Sequence, residues 1–339
     1  AGTDRGQKYL SSAAAIIPNK FTFTMRIMVT CPPMLGQIDR FRPIFEAVGA
    51  ELYTPNVVQT LTEAELKELL PDMEGWIIGD DPATRAVFEA GKKGRLKAAV
   101  KWGVGVDNVD FKACKDLGIP VSNTPNMFGA EVADIALQYV IGLARQTYVI
   151  DRGVRAGHWP KPAGISIAGR TAGLIGFGDI GRAAAYRLKA IGLTVQVYDP
   201  FAARTEEDQA NFTFLDFPQG IEKPDFWVLT AALNPNTMHL VNAETIARMK
   251  DEVRIVNVSR GGLIDEAALV AALQSGKVHS AALDVFEVEP LPMDSPLRQM
   301  ERCIFGTHNG SNTVDAVIRA SHEAIRILFG FLNLSYPEL

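Results

Sequence analysis

The most informative stretch of the chain is GLIGFGDIGR at residues 173–182. An apolar segment precedes its glycines Gly176, Gly178 and Gly181, and an alanine-rich segment follows them. Glycines at this spacing permit a tight turn, a close approach of the backbone to a pyrophosphate, and packing of a helix on a strand. The start of the helix adds amide donors and a partial positive charge. The stretch predicts a dinucleotide-binding turn between a strand and a helix, formed by Gly176, Phe177, Gly178, Asp179, Ile180 and Gly181.

An acidic residue ends the next predicted strand. Val195–Tyr198 runs into Asp199 and Pro200, roughly 20 residues after the last glycine, which is the spacing of a dinucleotide site. A carboxylate there accepts hydrogen bonds from the adenosine ribose and repels a 2′-phosphate, so the sequence predicts NAD rather than NADP. Arg204 is a cation that would weaken the repulsion of NADP. The acidic residues Glu206–Asp208 beside it favour instead the interpretation of Arg204 as a solvated cation in a loop. Glycine-rich turns also occur in methyltransferases, but the acid after the second strand favours a dinucleotide.

Short apolar segments alternate with helical patterns from Met25 onward. Several are unbroken apolar runs, as in strands that are covered on both faces. The alternation predicts an α/β fold with parallel, doubly wound sheets. Thr62–Glu65 has the spacing of a capping box and predicts the start of a helix. The predicted strands are Ile27–Thr30, Trp76–Ile78, Ala98–Lys101, Ala172–Ile175, Val195–Tyr198, Phe226–Leu229, Ile255–Val258, Ala281–Leu283 and Cys303–Phe305.

The order of the helices predicts two domains with a cleft between them. Gly129–Arg145 is apolar almost all round and predicts a buried helix, and Asp151–Ala168 predicts an irregular arm. The last helix, Asp315–Asn333, is explained if the chain returns to the first domain. A cleft at such a junction is a frequent ligand site. The predicted division is 25–125 with 312–339 for the substrate domain, 126–311 for the NAD-binding domain, and an extension or vector sequence for 1–24.

The composition excludes several classes of protein. The chain of 339 residues has 47% hydrophobic and 22% charged residues, a balance that is typical of globular proteins and not of disordered ones. A formal net charge of −5 and the absence of a basic stripe disfavour a nucleic-acid partner. No apolar run approaches the roughly 18 residues of a membrane span. The 3 cysteines lack the spacing of a zinc site or a disulfide framework, which predicts a cytoplasmic protein without a metal.

Three polar residues follow three successive predicted strands. Arg260, Glu289 and His308 should therefore meet at the edge of the sheet where α/β folds bind ligands. Arginine binds a carboxylate through two hydrogen bonds, histidine carries protons near neutral pH, and a neighbouring carboxylate raises the pKa of the histidine. Taken singly, Arg260 is equally compatible with a surface ion pair and Glu289 with the start of a helix. The other histidines, His158, His239, His279 and His322, are interpreted as structural.

The chain resembles the NAD-dependent D-isomer-specific 2-hydroxyacid dehydrogenases, and within them the D-3-phosphoglycerate dehydrogenase branch. The resemblance extends from Trp76 to Asn312. It is carried by residues 101–110 (KWGVGVDNVD), 118–126 (GIPVSNTPN), 173–182 (GLIGFGDIGR), 257–266 (NVSRGGLIDE) and 282–290 (ALDVFEVEP). It implies two Rossmann-like lobes, the substrate lobe flavodoxin-like, and reversible hydride transfer between NAD and C2 of a small D-2-hydroxy acid or 2-keto acid, with D-3-phosphoglycerate as one candidate. It also implies a homodimer built on residues 129–168.

The resemblance also implies a role for each residue of the site. Arg260 would bind the substrate carboxylate, His308 would be the acid/base, and Glu289 would pair with that histidine. Asp284 would lie near the nicotinamide carboxamide. The remaining implied positions are Ala231, Val258 and Ser259 beside the cofactor, and Lys101, Gly103, Val104 and Gly105 around the substrate carboxylate.

The substrate itself stays open at this point. Where phosphoglycerate-specific relatives have a phosphate-binding arginine, this chain has Gly79, Asp80 and Asp81, and two carboxylates there would oppose a phosphate. Lys101 supplies a cation nearby, but only as a point charge. The alternatives are a catalytically idle NAD-sensing protein and a phosphite-, glyoxylate- or hydroxypyruvate-type dehydrogenase. Formate chemistry is disfavoured because it normally lacks the glutamate that Glu289 supplies.

Overall fold

Two parallel sheets organise the computed structural model, which describes residues 25–338. The predicted extension at residues 1–24 lies outside the described residues. All strand pairs in both sheets are parallel, as the alternating pattern predicts, which confirms the α/β class.

The first sheet has five strands in the order β2-β1-β3-β4-β5, the order of flavodoxin-like folds. Its strands are β1 (Met25–Val29), β2 (Ala50–Tyr53), β3 (Gly75–Ile78), β4 (Ala98–Lys101) and β5 (Val121–Asn123). Its helices are α1 (Pro32–Leu35), α2 (Arg42–Ala47), α3 (Glu63–Leu69), α4 (Arg85–Lys93) and α5 (Phe111–Leu117). The predicted capping box begins α3, because Thr62 Oγ1 accepts from the Glu65 amide at 3.3 Å and the Thr62 amide donates to Glu65 Oε2 at 2.7 Å.

The second sheet has seven strands in the order β12-β11-β10-β9-β6-β7-β8, which contains the Rossmann order with one added strand. Its strands are β6 (Thr171–Ile175), β7 (Thr194–Tyr198), β8 (Thr213–Phe214), β9 (Phe226–Leu229), β10 (Val253–Asn257), β11 (Val278–Leu283) and β12 (Ile304–Phe305). The helices from here to the chain end are α6 (Gly129–Arg145), α7 (Thr147–Arg155), α8 (Asp179–Ala190), α9 (Glu206–Asn211), α10 (Ala243–Arg248), α11 (Glu266–Ser275) and α12 (Val314–Phe331). Short 3-10 turns lie at Ile38–Arg40, Leu70–Asp72, Gly261–Leu263 and Pro296–Gln299.

The last helix packs against the first sheet. Helix α12 follows β12 of the second sheet in the chain, yet it contacts β3 and β4 of the first. Its residues Ala320, Ala324 and Leu328 are fully buried in that contact layer. None of the helices between residues 25 and 338 has the length and hydropathy to span a bilayer.

Three strands escaped prediction, and two segments differ from their predicted form. Strands β2, β5 and β8 are short or carry polar residues, so they give no apolar run. Helix α6 has the predicted bounds, but its surface at Asp134 and Gln138 is exposed, so it is not enclosed all round. The predicted arm is partly helical, because α7 extends to Arg155 after a left-handed break at Gln146 (φ 54°).

Candidate active site

The glycine turn between β6 and α8 has the form that the sequence predicts. Gly176 adopts a φ of +93°, and a side chain there would lie 2.6 Å from the Ala231 backbone. Gly178 faces open space, so a ligand can approach the backbone there. Helix α8 begins after Gly178 without a side-chain cap, which leaves its first amides as donors. The turn therefore fits a pyrophosphate, as a dinucleotide requires.

Asp199 lies at the end of β7 and supports this turn. Its Oδ2 accepts from the amide of Phe177 at 2.8 Å, and its Oδ1 accepts from the amide of Phe201 at 2.9 Å. The Phe177 amide is thus occupied, and the donors left for a phosphate belong to the start of α8. Arg204 is exposed, and its guanidinium lies 4.3 Å from the centre of the Phe214 ring.

The backbone beside the glycine turn comes from the carboxyl ends of β9 and β10. Ser259 donates from Oγ to the carbonyl oxygen of Ala231, and Val258 is almost fully buried. Asn257 fixes the segment further, because its Nδ2 donates to the Arg260 carbonyl at 2.8 Å. These contacts hold the backbone of residues 258–260 at the carboxyl edge of the sheet, close to the glycine turn.

His308 and Glu289 form a hydrogen-bonded pair. His308 follows β12, Glu289 follows β11, and the distance from His308 Nδ1 to Glu289 Oε2 is 2.8 Å. Glu289 is itself oriented by the Phe286 amide, which donates to Oε1 at 3.0 Å. Since Nδ1 is engaged by Glu289, Nε2 is the nitrogen available to a substrate.

The surroundings of His308 favour its protonated form. Burial lowers its pKa, but the hydrogen bond to Glu289 and the negative charges of Asp80 and Glu289 outweigh burial and the Arg260 charge. The net result is a pKa above the usual value of histidine. A protonated His308 can donate to a ketone oxygen, and a neutral His308 can accept a hydroxyl proton.

Asp284 holds the loop that carries His308. His308 adopts a left-handed backbone conformation (φ 55°), which costs free energy in a residue other than glycine. The His308 amide donates to the Asp284 carbonyl at 2.6 Å, and the amides of Asn309 and Gly310 donate to its carboxylate oxygens at 3.1 and 2.8 Å. Asp284 is almost fully buried, and its carboxylate lies close to Gly306, where a side chain would overlap it.

Arg260 lies against the loop that follows β4. Its Nε donates to Asp107 Oδ1 at 2.9 Å, and a side chain at Gly105 would overlap its guanidinium. The amides of Val104 and Gly105 have no hydrogen-bond acceptor within the described part of the chain. The Gly103 amide does not share this freedom, because it donates to Thr124 Oγ1 at 2.9 Å. A carboxylate at this point would meet the guanidinium and the Val104 and Gly105 amides together.

Lys101 does not point freely into the cleft. Its side chain is 3% exposed, and its Nζ donates to Asp80 Oδ1 at 2.9 Å and to the Trp102 carbonyl at 3.2 Å. Lys101 and the charges of His308 and Arg260 outweigh burial and hold the pKa of Asp80 below its usual range. The other oxygen of Asp80, Oδ2, lies 3.7 Å from His308 Nδ1.

Asp81 does not line the cleft with Asp80. It is fully buried, it accepts from the amides of Leu61 and Gly79 at 2.8 and 3.1 Å, and Thr30 donates to it from its hydroxyl. Burial nevertheless raises the pKa of Asp81. The expectation that both carboxylates face the substrate is therefore wrong for Asp81, which supports the backbone around β3.

Each of the three predicted catalytic residues meets a residue that precedes α6 in the chain. Asp107 meets Arg260, Asp80 meets His308, and Gln59 Nε2 donates to Glu289 Oε2 at 3.4 Å. Asp107 lies in the KWGVGVDNVD segment, so the sequence offered a signal for it. Gln59 gives no signal in the sequence, because it stands in a loop without a motif. Within residues 25–338, no group of histidine, cysteine, aspartate or glutamate is arranged to hold a metal ion.

Comparisons with known proteins show which family the chain resembles. Residues 137–310 match the family model described as D-isomer specific 2-hydroxyacid dehydrogenase, NAD binding domain. The chain is 37% identical over 280 residues to a hydroxypyruvate reductase of Thermotoga maritima, an alignment that covers 81% of this chain and 90% of the relative. It is 39% identical over 276 residues to the chloroplastic D-3-phosphoglycerate dehydrogenase 2 of Arabidopsis thaliana, covering 80% of this chain but only 44% of that longer relative.

The fold matches solved structures over nearly its whole length. An NAD-dependent formate dehydrogenase of Staphylococcus aureus, solved with NAD, superposes on this chain with a TM-score of 0.80 at 26% identity. The superposition covers 93% of this chain and 97% of the formate dehydrogenase. A glyoxylate reductase of Paecilomyes thermophila superposes with a TM-score of 0.76 at 27% identity, covering 91% and 95%.

Proposed function

Since the chain belongs to the D-isomer-specific 2-hydroxyacid dehydrogenase family and carries its NAD-binding domain, we propose that it catalyses reversible hydride transfer at C2 of a small D-2-hydroxy acid. The observation that carries this proposal is the 2.8 Å pair of His308 and Glu289 beside Arg260, at the edge of the sheet that also holds the glycine turn. NAD, when bound, supplies the acceptor or donor of the hydride.

The residues of the chain divide the remaining work. Arg260 and the Val104 and Gly105 amides bind the carboxylate of the substrate and so fix C2. In oxidation His308 Nε2 accepts the hydroxyl proton, and in reduction the imidazolium donates it to the ketone oxygen. Glu289 stabilises the imidazolium that both directions require. The start of α8 and the residues that follow β10, with Asp199, hold the cofactor.

Assays with a panel of 2-keto acids test this proposal. NADH oxidation is followed with 3-phosphohydroxypyruvate, hydroxypyruvate, glyoxylate, pyruvate and bulkier 2-keto acids, with NADPH in parallel. We expect turnover of at least one 2-keto acid and a preference for NADH. Tight NADH binding without turnover on the whole panel would instead support a catalytically idle NAD-sensing protein. The phosphite-type alternative predicts reduction of NAD by phosphite, which the same instrument measures.

The division into lobes stays a prediction, and the packing of α12 on β3 and β4 supports it. We assign residues 25–125 with 312–339 to the substrate lobe and 126–311 to the NAD lobe. Three side-chain contacts, Asp107–Arg260, Asp80–His308 and Gln59–Glu289, then join the lobes across the cleft. Small-angle scattering with and without NADH tests whether the two units move relative to each other.

We also propose that the protein is a homodimer through residues 129–168. The exposed polar strip of α6 adjoins a depression lined by Leu137, Ile141 and Tyr148, and Trp159 in the arm is 79% exposed. Burial of these apolar surfaces in a second copy would stabilise the dimer. Sedimentation of the wild type and of Trp159→Ser tests this, and a monomeric wild type would contradict it. The cytoplasmic location also stays a prediction; Cys31, Cys114 and Cys303 are buried free thiols.

A further inference from the structure

The charges of the cleft are arranged in pairs. Lys101 lies 2.9 Å from Asp80, Arg260 lies 2.9 Å from Asp107, and His308 lies 2.8 Å from Glu289. Three cations, counting a protonated His308, thus face three carboxylates, and Asp80 lies close to both Lys101 and His308. These six groups together carry no surplus positive charge for an anionic ligand to neutralise.

The two cations near the substrate differ in what they can release. Arg260 and Asp107 are both partly exposed, at 21% and 28%, so a substrate carboxylate can replace Asp107 on the guanidinium. Lys101 is 3% exposed and has a second partner in the Trp102 carbonyl, so it cannot leave Asp80 to reach a ligand. Of these two cations, Arg260 can therefore accept a negative charge from a substrate, and Lys101 is committed to Asp80.

Asp80 places a carboxylate beside the imidazole of His308. Its side chain is 32% exposed, and its Oδ2 lies 3.7 Å from His308 Nδ1, on the ring whose other nitrogen, Nε2, meets the C2 oxygen in the proposed reaction. A substituent on C3 of a bound substrate lies within a few bonds of the C2 oxygen, so a phosphate there would share the cleft around His308 with the Asp80 carboxylate. Like charges within one cleft repel strongly where water is partly excluded.

We infer that Asp80 restricts this site to 2-hydroxy and 2-keto acids whose carboxylate is their one anionic group, and that it excludes those with a phosphate on C3. The inference rests on the function proposed above, and it assigns Lys101 to the support of Asp80 rather than to the substrate. Asp81 takes no part, because it is buried against Thr30 and the amides of Leu61 and Gly79.

The test measures binding, so that it does not depend on turnover. Calorimetry with the NADH-bound protein gives the Kd of D-glycerate and of 3-phospho-D-glycerate, two ligands in the reduced form that cannot react with NADH. We expect the wild type to bind D-glycerate more tightly. Asp80→Asn, which keeps the shape of the side chain and removes its charge, should shift the ratio of the two Kd values at least about tenfold toward the phosphorylated ligand.

Three further variants separate the charge of Asp80 from its structural effect. Lys101→Met leaves Asp80 unpaired and should weaken the binding of the phosphorylated ligand further, which is the opposite of the effect of Asp80→Asn. The double variant Asp80→Asn/Lys101→Met should reverse most of the shift of Asp80→Asn, since the freed cation is gone. Asp107→Asn is the matched control in the same cleft, because Arg260 meets the carboxylate that both ligands share and their ratio should stay constant.

Two results would overturn the inference. One is a wild type that binds 3-phospho-D-glycerate more tightly than D-glycerate; the other is a ratio that moves by less than about twofold in both Asp80→Asn and Lys101→Met. The proposed function fails differently, through the absence of turnover on the keto-acid panel while the Kd values still respond to Asp80. A wild type that turns over keto acids and also favours the phosphorylated ligand contradicts the inference alone.

Discussion

Two glycine-containing turns at the carboxyl edges of the two sheets use an aspartate in opposite ways. The turn after β6 is supported by Asp199, whose carboxylate accepts hydrogen bonds from the main-chain amides of Phe177 and Phe201. In the described part of the chain that carboxylate has no cation partner. The turn after β4 lies beside Asp80, whose carboxylate is paired with the buried Lys101. One aspartate thus supports a turn without pairing with a cation, while the other balances a cation.

Recognition in this cleft should depend on which charges are paired within the protein. In the proposed function, Asp199, which has no cation partner among the described residues, selects NAD by attraction of ribose hydroxyls and repulsion of a phosphate. Asp80 is instead paired with Lys101. Changes at the first turn should alter the choice of cofactor, and changes at the second should alter the choice of substrate.

The largest effect is expected at His308, the proposed proton donor and acceptor. His308→Ala removes the proton donor and acceptor, so kcat on a verified 2-keto acid should fall by roughly 10²–10⁴-fold. Initial rates of NADH oxidation measure this. His158→Ala, in an exposed segment after α7, is the control and should keep the wild-type rate. Near-full kcat in His308→Ala would remove His308 from the mechanism.

A change at Asp199 should alter the choice of cofactor. Asp199→Ala removes the acceptor for the ribose hydroxyls and the charge that repels a 2′-phosphate. Hydrogen bonds to a charged group contribute about 1.5–3 kcal/mol, so the preference for NADH over NADPH should fall by roughly 10–100-fold in kcat/KM. Asp80→Asn is the matched change at the other turn and should leave this preference unchanged.

Asp199→Asn separates charge from support of the turn. It keeps one acceptor for the Phe177 amide but loses the negative charge. If the preference for NADH survives in Asp199→Asn and in Asp199→Ala, the carboxylate serves only to hold the turn, and the contrast with Asp80 disappears.

A smaller loss is expected at Asp284. Asp284→Asn leaves one of the amides of Asn309 and Gly310 without its carboxylate oxygen, and an unsatisfied amide costs about 1–3 kcal/mol. The His308 loop should loosen, with a loss of about tenfold in kcat. Because Asp284 positions the loop without pairing with the imidazole, the pH dependence of the remaining activity should keep its midpoint. A shifted midpoint would show that Asp284 acts on the proton instead.

The sequence predicted those parts of the molecule that depend on local pattern. The glycine turn, Asp199 and the strand-end positions of Arg260, Glu289 and His308 follow from spacing and from the alternation of strands and helices. Helix α6 was placed at its observed bounds for the same reason. Short strands such as β5 (Val121–Asn123) were missed, because their polar side chains do not form an apolar run.

The pairing of charges could not be predicted, because it depends on how distant segments pack. Asp80 and Asp81 are adjacent in sequence, yet one lines the cleft and the other is buried. Lys101 was assigned to the substrate carboxylate, but the burial of its side chain commits it to Asp80. The support of His308 by Asp284 likewise depends on a contact between the ends of β11 and β12.

The pH dependence tests the electrostatic side of the comparison. The pKa of His308 is raised in the folded protein, so kcat/KM for reduction should be high at low pH and fall as pH rises through that pKa. Glu289→Gln removes a hydrogen-bonded negative charge, so the falling limb should move to lower pH. Asp80→Asn removes a more distant negative charge and should move the falling limb to lower pH by a smaller amount. The positive charge of Arg260 acts in the other direction from these two carboxylates, because it lowers the pKa of His308. A limb that stays in place in Glu289→Gln would contradict the assignment of this proton to His308.

The smallest effect is expected away from both turns, at the capping box of α3. Thr62→Ala removes the acceptor of the Glu65 amide, which should lower the free energy of unfolding by about 1 kcal/mol. Urea titration followed by circular dichroism measures this, and Thr62→Ser, which keeps the hydroxyl, should retain most of the stability. Because Thr62 touches neither Asp80 nor Asp199, the Kd ratio of the two glycerates and the NADH preference should both stay at wild-type values. A change in either ratio would mean that they report the general stability of a lobe and not the charges of the two turns.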